Sequence, residues 1–445
     1  MTKIANELGT RSISKLLIKQ AIPASIGILV MSLNLIIDTI FVGQWIGKLA
    51  IAAITVVLPI VFLISSIGMG IGIGGSSIIS RALGENNSKK AFLTFGNQIS
   101  MTILLSVFFV VVGTFFHSEL LILFGAKGEI LTPATEYFQV VLYGVPFLAF
   151  AMMGNPVVRA VGKPMYAMYT MILPAFANIG LDILFIKVFG WGMYGAGLAT
   201  AVSYAVSGLF ILGFFLFKNS GLVIDPKNFR WKLHIVKEIV SLGGVTVARQ
   251  GTISLLMIVL NASLFTYGGE SAIAIYGIIS RVSMFALFPV LGVTQGFLPI
   301  AGYNYGAKDS KRVKESIKTA IIYGTSVATI IFIGIILFPE AVSSLFTKDK
   351  DLIAETPNAL LLAFMALPVI TTQLIGSAYF QAAGKALPAL FLTLLKQGIF
   401  LIPLVYIMPK FFGLNGVWWS FPIADIMATL ITVIFLQKEV RKNLA

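Results

Sequence analysis

The stretch from residue 49 to residue 80 reads LAIAAITVVLPIVFLISSIGMGIGIGGSSIIS and contains no charged side chain. It is longer than the roughly 20 apolar residues that a helix needs to cross the hydrocarbon core of a bilayer. The whole chain shares this character, because 58% of its 445 residues are hydrophobic and 11% are charged, against roughly 25% charged in a typical soluble domain. We therefore predict an all-α, polytopic membrane protein.

Similar apolar runs follow one another along the chain, separated by short polar connections. We predict twelve transmembrane helices, at about residues 16–46, 49–80, 91–116, 134–161, 165–189, 192–217, 238–267, 272–302, 317–338, 357–383, 386–408 and 413–437. Basic residues precede the first run as they would in a signal peptide, but no small-residue cleavage site follows it. We interpret the amino terminus as a basic lead into span one.

The net charge of +14 is explained by where Lys and Arg lie around the spans. Most of them occupy the amino terminus, the connections after even-numbered spans and the carboxyl terminus. The opposite connections hold only Lys48, Lys127, Lys187, Lys348, Lys350 and Lys410. Because the Lys- and Arg-rich side faces the cytoplasm, we predict a multi-pass protein of the cell membrane, inner or plasma, with both termini cytoplasmic. We assign no nucleic-acid partner to this charge.

The two sets of six spans are copies of one unit at a spacing of 222 residues. Gly162-Lys163 after span four aligns with Gly384-Lys385 after span ten. Since each half has an even number of spans, the copies have the same orientation and are related by an axis near the membrane normal. We predict two pseudo-symmetric six-helix bundles, with an amino-terminal lobe of residues 1–217, a cytoplasmic linker of 218–237 and a carboxyl-terminal lobe of 238–445.

Other features exclude several kinds of chemistry. The chain has no cysteine and two histidines, which rules out disulfides and is too few histidines for a metal cluster. The tract from Gly68 to Gly75 contains a G-x-G-x-x-G match, but dinucleotide binding requires a strand before that motif. Here the motif lies inside a span, so we interpret its small residues as places where helices approach closely.

Three aspartates lie inside the long apolar runs, and two of them, Asp38 and Asp182, are in the first half. Asp38 lies in span one, and Asn178 and Asp182 lie four residues apart in span five, which places them on one helix face. A carboxylate in hydrocarbon is costly, so an intramembrane Asp is a functional hypothesis by default. With the hydroxyl of Thr200 in span six, these groups are hard oxygen ligands that suit a small cation. The two carboxylates could equally share protons.

Three further residues in the spans of the first half are candidates for a structural or functional role. Tyr137 lies near the outer start of span four, and Asn155 lies further along the same span. For Asn155 and Thr200, a structural hydrogen bond to an adjacent helix is an equally good explanation. Pro23 removes a helical hydrogen bond from span one, and we predict that the span bends there.

The second half has different chemistry in the same predicted fold. The positions 222 residues beyond Asp38 and Asp182 are leucines, so the acidic pair has no counterpart. The charged residues in the interior of its spans are Arg249, Arg281, Lys396 and Asp425. Because buried charges are usually paired, we predict a structural ion pair between Lys396 in span eleven and Asp425 in span twelve.

Over essentially its whole length, the chain resembles the multidrug and toxic compound extrusion (MATE) transporters of the wider MOP flippase superfamily. The resemblance is based on the two bundles, the DTIFVG segment that begins at Asp38, the RALG segment that begins at Arg81, the RAVGKP turn that begins at Arg159, and the Asn178-x-x-x-Asp182 pair. It implies a secondary active antiporter that exports organic cations or amphiphilic compounds in exchange for protons or sodium. It also implies no cofactor and no enzymatic activity.

The resemblance assigns roles to individual residues. It implies that the coupling ion, a proton or a possible Na⁺, is bound by Asp38, Asn178, Asp182 and Thr200. It implies that the substrate cavity is lined by Tyr137, Asn155 and Met171. Some family members carry an acidic coupling residue in span seven, where this chain has Gln250 and Asn261, so we expect no second ion site there. We expect a monomer in the lipid bilayer that binds small molecules.

Two alternative functions fit less of the sequence. A lipid-linked oligosaccharide flippase of the same superfamily could attract a phosphate with Arg249, Arg281 and Lys396, but the acidic first half favours cations. An intramembrane protease would need its paired aspartates in short Gly-containing motifs, which this chain lacks around Asp38 and Asp182. We therefore predict a transporter. The residues leave the choice between sodium and protons open.

Overall fold

The computed structural model describes residues 5–217 and 221–444. The first four residues of the predicted amino-terminal lobe, residues 218–220 of the predicted linker and the last residue of the predicted carboxyl-terminal lobe lie outside this range. The described residues form helices and turns, with no strand among them. Their long helices, α1 to α12, correspond in order to predicted spans one to twelve.

The first half contains six long helices. They are α1 (Ile13–Trp45), α2 (Lys48–Gly84), α3 (Ser88–Phe115), α4 (Leu131–Ala160), α5 (Pro164–Asp182, continued by the π-helical segment Ile183–Val188) and α6 (Gly192–Leu216). Short helices lie at Ala5–Thr10, His117–Leu123, Gly128–Ile130 and Pro226–Asn228, the last two of them 3₁₀ helices.

The second half repeats this order. It consists of α7 (233–268), α8 (270–306), α9 (Ser310–Leu337), α10 (Lys350–Phe364 and Leu367–Ala382), α11 (Ala386–Leu394, the π-helical segment Leu395–Leu401, and Ile402–Ile407) and α12 (Pro409–Asn443). A short helix lies at Pro339–Ser344. The fifth span of each half therefore contains a π-helical segment.

The number of spans agrees with the prediction. Ten helices of the described residues are long and apolar enough to cross a membrane, and the two parts of α10, bent by 40°, make up one more span. The 74-residue helix Leu233–Gly306 provides two spans, because Gly269 interrupts it with a φ of 63°. Glycine is the residue that adopts this backbone conformation without steric cost. The prediction of twelve spans is confirmed.

The described chain divides into two compact units. One contains Ile26–Thr246 and the chain up to Leu8, and the other contains Gly9–Ser25 and Val247–Ala445. The boundaries of these units differ from those of the two sequence repeats. The first part of α1 belongs to the unit that contains most of the second repeat, and the first part of α7 belongs to the unit that contains most of the first repeat. The predicted lobe boundaries remain a prediction about the repeat.

Glycines explain where the first parts of α1 and α7 pack. In the first unit, a Cβ on Gly243 of α7 would collide with the carbonyl group of Gly70 in α2. In the second unit, a Cβ on Gly296 of α8 would lie 2.8 Å from the backbone nitrogen of Ala21 in α1. Small residues let helices approach this closely. The Gly-rich tract of α2 is thus a packing surface, as the sequence indicated.

Candidate functional site

Polar side chains meet where α1 and α5 lie side by side in the first unit. Asn34 donates a hydrogen bond from Nδ2 to Oδ1 of Asn178 at 3.0 Å. Four residues further along both helices, the carboxyl groups of Asp38 and Asp182 lie within hydrogen-bonding reach of each other. Both pairs are separated by 144 residues in the sequence, so the two helices run parallel and in register. Residues four apart share a helix face, and the four side chains therefore form one cluster.

The environment of Asp182 is what makes this cluster unusual. Asp182 is 0% exposed, and both of its carboxylate oxygens are buried without a hydrogen-bond donor among the described residues. Asp38 is partly exposed. Two carboxylates cannot donate to each other, but one proton held between them makes a hydrogen bond. In a medium of low dielectric, both can remain charged only with a cation beside them. The site is thus built to take up a positive charge.

Two tyrosines extend the cluster toward α4 and α6. The hydroxyl oxygens of Tyr137 and Thr200 lie 3.3 Å apart, and both side chains are buried. The charges of Asp38 and Asp182 act on the phenol of Tyr137, and the charge of Asp38 acts on that of Tyr204. The predicted residue Thr200 is therefore in contact with Tyr137, whose phenol experiences the charge of the acidic pair.

Asn155 and Met171 lie apart from the acidic pair, at the other end of α5. Asn155 donates hydrogen bonds to the carbonyl oxygen of Ala167 at 2.7 Å and to Oγ1 of Thr170 at 2.6 Å. Its Oδ1 accepts a hydrogen bond from Nε of Arg159 at 3.1 Å. Since the whole amide is engaged, Asn155 ties α4 to α5 in this conformation. Sδ of Met171 lies 3.9 Å from Nη2 of Arg159.

Arg159 is a buried cation. It is 3% exposed, and its Nη1 has no hydrogen-bond acceptor. It forms no ion pair with any carboxylate of the described residues. The residue belongs to the RAVGKP turn that supported the resemblance, and its contacts with Asn155 and Met171 show that the turn also holds α4 and α5 together.

The helix is not broken at Pro23, where the sequence predicted a bend. The helix α1 runs continuously from Ile13 to Trp45 through Pro23, because a helix can accommodate one missing hydrogen bond when its neighbours hold it. The change from one compact unit to the other follows immediately, between Ser25 and Ile26. Bending during transport remains a prediction.

The second half contains the predicted ion pair. Nζ of Lys396 lies 2.6 Å from Oδ1 of Asp425, which is 3% exposed. The prediction that these residues pair between α11 and α12 is confirmed. Arg249 is partly exposed and Arg281 is exposed, and neither forms an ion pair with another described residue.

Two residues of the cluster were missed by the sequence prediction. Asn34 lies four residues before Asp38, and Tyr204 lies four residues after Thr200. The same spacing that related Asn178 to Asp182 could have identified both. Within the described chain, no three His, Cys, Asp or Glu side chains form a metal-binding group. A cation beside Asp182 would therefore need amide or hydroxyl oxygens as further ligands.

Comparison with known proteins assigns the chain to a family. The sequence model of the MatE family matches residues 23–184 and 245–407. The multidrug export protein MepA of Staphylococcus haemolyticus (strain JCSC1435) is 27% identical over 433 residues, 97% of this chain and 95% of that protein. MepA of Staphylococcus aureus (strain MSSA476) is 28% identical over 422 residues, 94% of this chain and 93% of that protein. A solved structure of the outward-facing conformation of a multidrug resistance MATE family transporter superposes with a TM-score of 0.93 at 27% identity, covering 99% of this chain and 98% of that one. With its twelve spans and a match in each half, the chain belongs to the MATE family of transporters.

Proposed function

We propose that this protein is a secondary active antiporter that exports cationic or amphiphilic small molecules in exchange for protons or sodium ions. One observation carries the proposal: the carboxyl groups of Asp38 and Asp182 face each other inside the first unit, and the buried Asp182 has no donor. The multidrug export proteins that resemble this chain along its length support the choice of substrate class.

The acidic pair can couple the two fluxes because one site serves both kinds of cation. A proton or Na⁺ that enters from outside removes one negative charge from the pair formed by Asp38 and Asp182 and weakens the attraction for a cationic substrate. Asn178 and Thr200 would supply the neutral oxygens that Na⁺ needs. Release of the ion on the inside restores the negative charge, which attracts the next substrate. Each charge that crosses contributes about 2.3 kcal/mol per 100 mV of membrane potential.

The helix α1 is the element that this change of charge would move. Its contacts with α5 include Asp38 and Asn34, so neutralisation of the pair alters the interactions that hold the two helices in register. Below these contacts, Pro23 lacks the amide hydrogen that a helix interior normally uses. We propose that α1 bends at Pro23 when the pair has bound the ion, and that this movement opens the lobe to the other side of the membrane.

The test is ion-driven efflux by Asp182→Asn in vesicles. Asn keeps the size of the side chain and removes the exchangeable charge, so we expect a folded protein whose efflux under an imposed proton or sodium gradient falls at least tenfold, in line with the loss of a group that acts directly. Asp38→Asn should behave similarly, and the double variant should be little worse, because residues that act as one unit are non-additive.

The matched control is Asp351→Asn, which removes a carboxylate from an exposed position at the start of α10. Its efflux should equal that of the unchanged protein. Applying the proton and sodium gradients separately identifies the coupling ion. Normal gradient-driven efflux by the folded Asp182→Asn variant would refute the proposal. The flippase alternative has lost support, because Lys396, one of its three cations, is already paired with Asp425.

A further inference from the structure

The connection between α6 and α7 contains a short segment whose backbone is hydrogen-bonded to α3. We refer to residues 227–233 as the basic-aromatic segment. Asn97 of α3 donates a hydrogen bond from Nδ2 to the carbonyl oxygen of Arg230 at 3.2 Å. Its Oδ1 accepts a hydrogen bond from the backbone nitrogen of Lys232 at 3.0 Å. One buried amide therefore fixes the backbone on each side of Trp231.

Two further contacts hold the start of the segment. A Cβ on Gly96 would collide with the carbonyl group of Asn228, so the absence of a side chain at position 96 lets the segment lie directly on α3. Oδ1 of Asp225 accepts a hydrogen bond from the backbone nitrogen of Lys227 at 2.9 Å, which begins the 3₁₀ turn Pro226–Asn228. The segment is thus an ordered surface of the first unit.

Most side chains of this ordered segment are exposed. Trp231 is 54% exposed and Leu233 is 67% exposed, although both are large and apolar. Four cations are exposed beside them: Lys227, Arg230, Lys232 and Lys237.

None of these four cations forms an ion pair with another described residue. The two nearby carboxylates are already engaged, since Asp225 caps the 3₁₀ turn and Glu238 pairs with Arg81 at 2.8 Å. A rigid backbone therefore displays two apolar side chains among four unpaired positive charges. No described carboxylate of the first unit pairs with the cations of this surface.

We propose that the basic-aromatic segment is a binding site for anionic phospholipid headgroups. The segment joins two membrane spans, so it lies at the level where a bilayer presents its phosphates. Trp is favoured at that interface because its ring is apolar and its N–H is polar. Lys and Arg close to an anionic membrane surface each contribute to binding. In this site Arg230 and Lys232 bind the phosphates, and Trp231 inserts between the headgroups. The site is separate from the acidic pair and does not depend on the proposed transport.

The test measures phospholipid binding to the purified full-length protein. Native mass spectrometry in neutral detergent would give dissociation constants for phosphatidylglycerol and for phosphatidylcholine. We expect the unchanged protein to prefer phosphatidylglycerol, and the double variant Arg230→Gln/Lys232→Gln to bind it about thirtyfold more weakly. Phosphatidylcholine binding should fall much less, because the choline group of that lipid already balances the charge of its phosphate. The matched control, Lys311→Gln/Lys314→Gln, removes two exposed charges from α9, where no Trp accompanies them, and should retain the preference.

Two single variants separate the contributions within the site. Trp231→Ala should weaken the binding of both lipids, because the inserted ring contacts any headgroup. Asn97→Ala leaves every charge in place but releases the backbone on both sides of Trp231, so it should weaken phosphatidylglycerol binding with all four cations still present. Equal losses in the Arg230/Lys232 variant and the α9 control would overturn the proposal. So would binding of a poly-glutamate peptide in preference to phosphatidylglycerol, because the surface would then fit an acidic protein.

Discussion

Asp182 and Asp425 are both buried aspartates of membrane-spanning helices, and they differ in the charge of the side chain that faces them. Asp425 lies beside Lys396 at 2.6 Å, whereas Asp182 lies beside another carboxyl group. A carboxylate that is neutralised by a permanent cation has no need of an exchangeable ion. A pair of carboxylates does need one. The same residue type therefore serves stability in the second half and ion exchange, as we propose, in the first.

This difference predicts opposite effects of the same substitution. We expect Asp425→Asn to lower the free energy of unfolding by about 3–5 kcal/mol, since it leaves the Lys396 charge without its partner. Asp182→Asn removes a like-charge repulsion and should leave the midpoint of thermal unfolding unchanged or higher. The measurement is thermal unfolding of both purified variants in one detergent.

Exchanging the two charges provides the control for this prediction. Lys396→Asp/Asp425→Lys keeps opposite charges side by side and should recover part of the stability that Asp425→Asn loses. A stable Asp425→Asn protein that no longer couples ion flux to export would contradict our assignment and move the ion site to the second half.

At the scale of the elements, α1 and α7 share a feature that the sequence repeat does not predict. Each is the first span of its half, and each begins in the compact unit that contains the other half. Glycines explain this arrangement, because the backbone of α7 packs directly against α2 and that of α1 directly against α8 where no Cβ intervenes. Close backbone contact replaces the hydrophobic driving force, which is absent between helices in lipid.

Adjacent glycines of α7 allow a sharp test of this packing. Gly243→Ala should destabilise the protein by about 1–3 kcal/mol, the usual cost of overpacking, because the new Cβ meets the backbone of Gly70. Gly244→Ala should be neutral or slightly stabilising, since a Cβ there has no neighbour within 4 Å. The two variants have the same composition, so the difference between their unfolding temperatures reports the contact alone. Equal temperatures would show that α7 does not pack against α2 as described.

At the scale of the whole molecule, the orientation in the membrane is a prediction of the charge distribution. The Lys- and Arg-rich connections should face the cytoplasm. The chain has no cysteine, so single cysteines can be introduced without background. Lys127→Cys should be labelled by an impermeant thiol reagent added to intact cells, and Lys314→Cys should be labelled only after the membrane is opened. Both residues are exposed, which makes accessibility comparable. The reverse pattern would place both termini outside.

Much of the fold follows from local sequence patterns. Hydrophobic run lengths predicted the twelve spans, because a helix must cross a bilayer of given thickness. The cost of charge in lipid identified Asp38, Asp182, Lys396 and Asp425 as the residues to explain. Other assignments needed contacts. For Asn155 the sequence left a structural hydrogen bond and a place in the cavity lining equally open, and the structure shows its amide holding α4 and α5 together. No spacing within one helix reveals such engagement.

The sequence by itself determined the number of spans, their repeat and the residues whose burial requires a partner, because these depend on hydrophobicity and on spacing along one helix. Only the tertiary structure decided which partner each residue has. The register of α1 against α5 brings Asp38 to Asp182 and Asn34 to Asn178, and the glycine contacts place the first part of α7 against α2. Those arrangements depend on the shapes of two helix surfaces that meet in space, which are far apart in the chain.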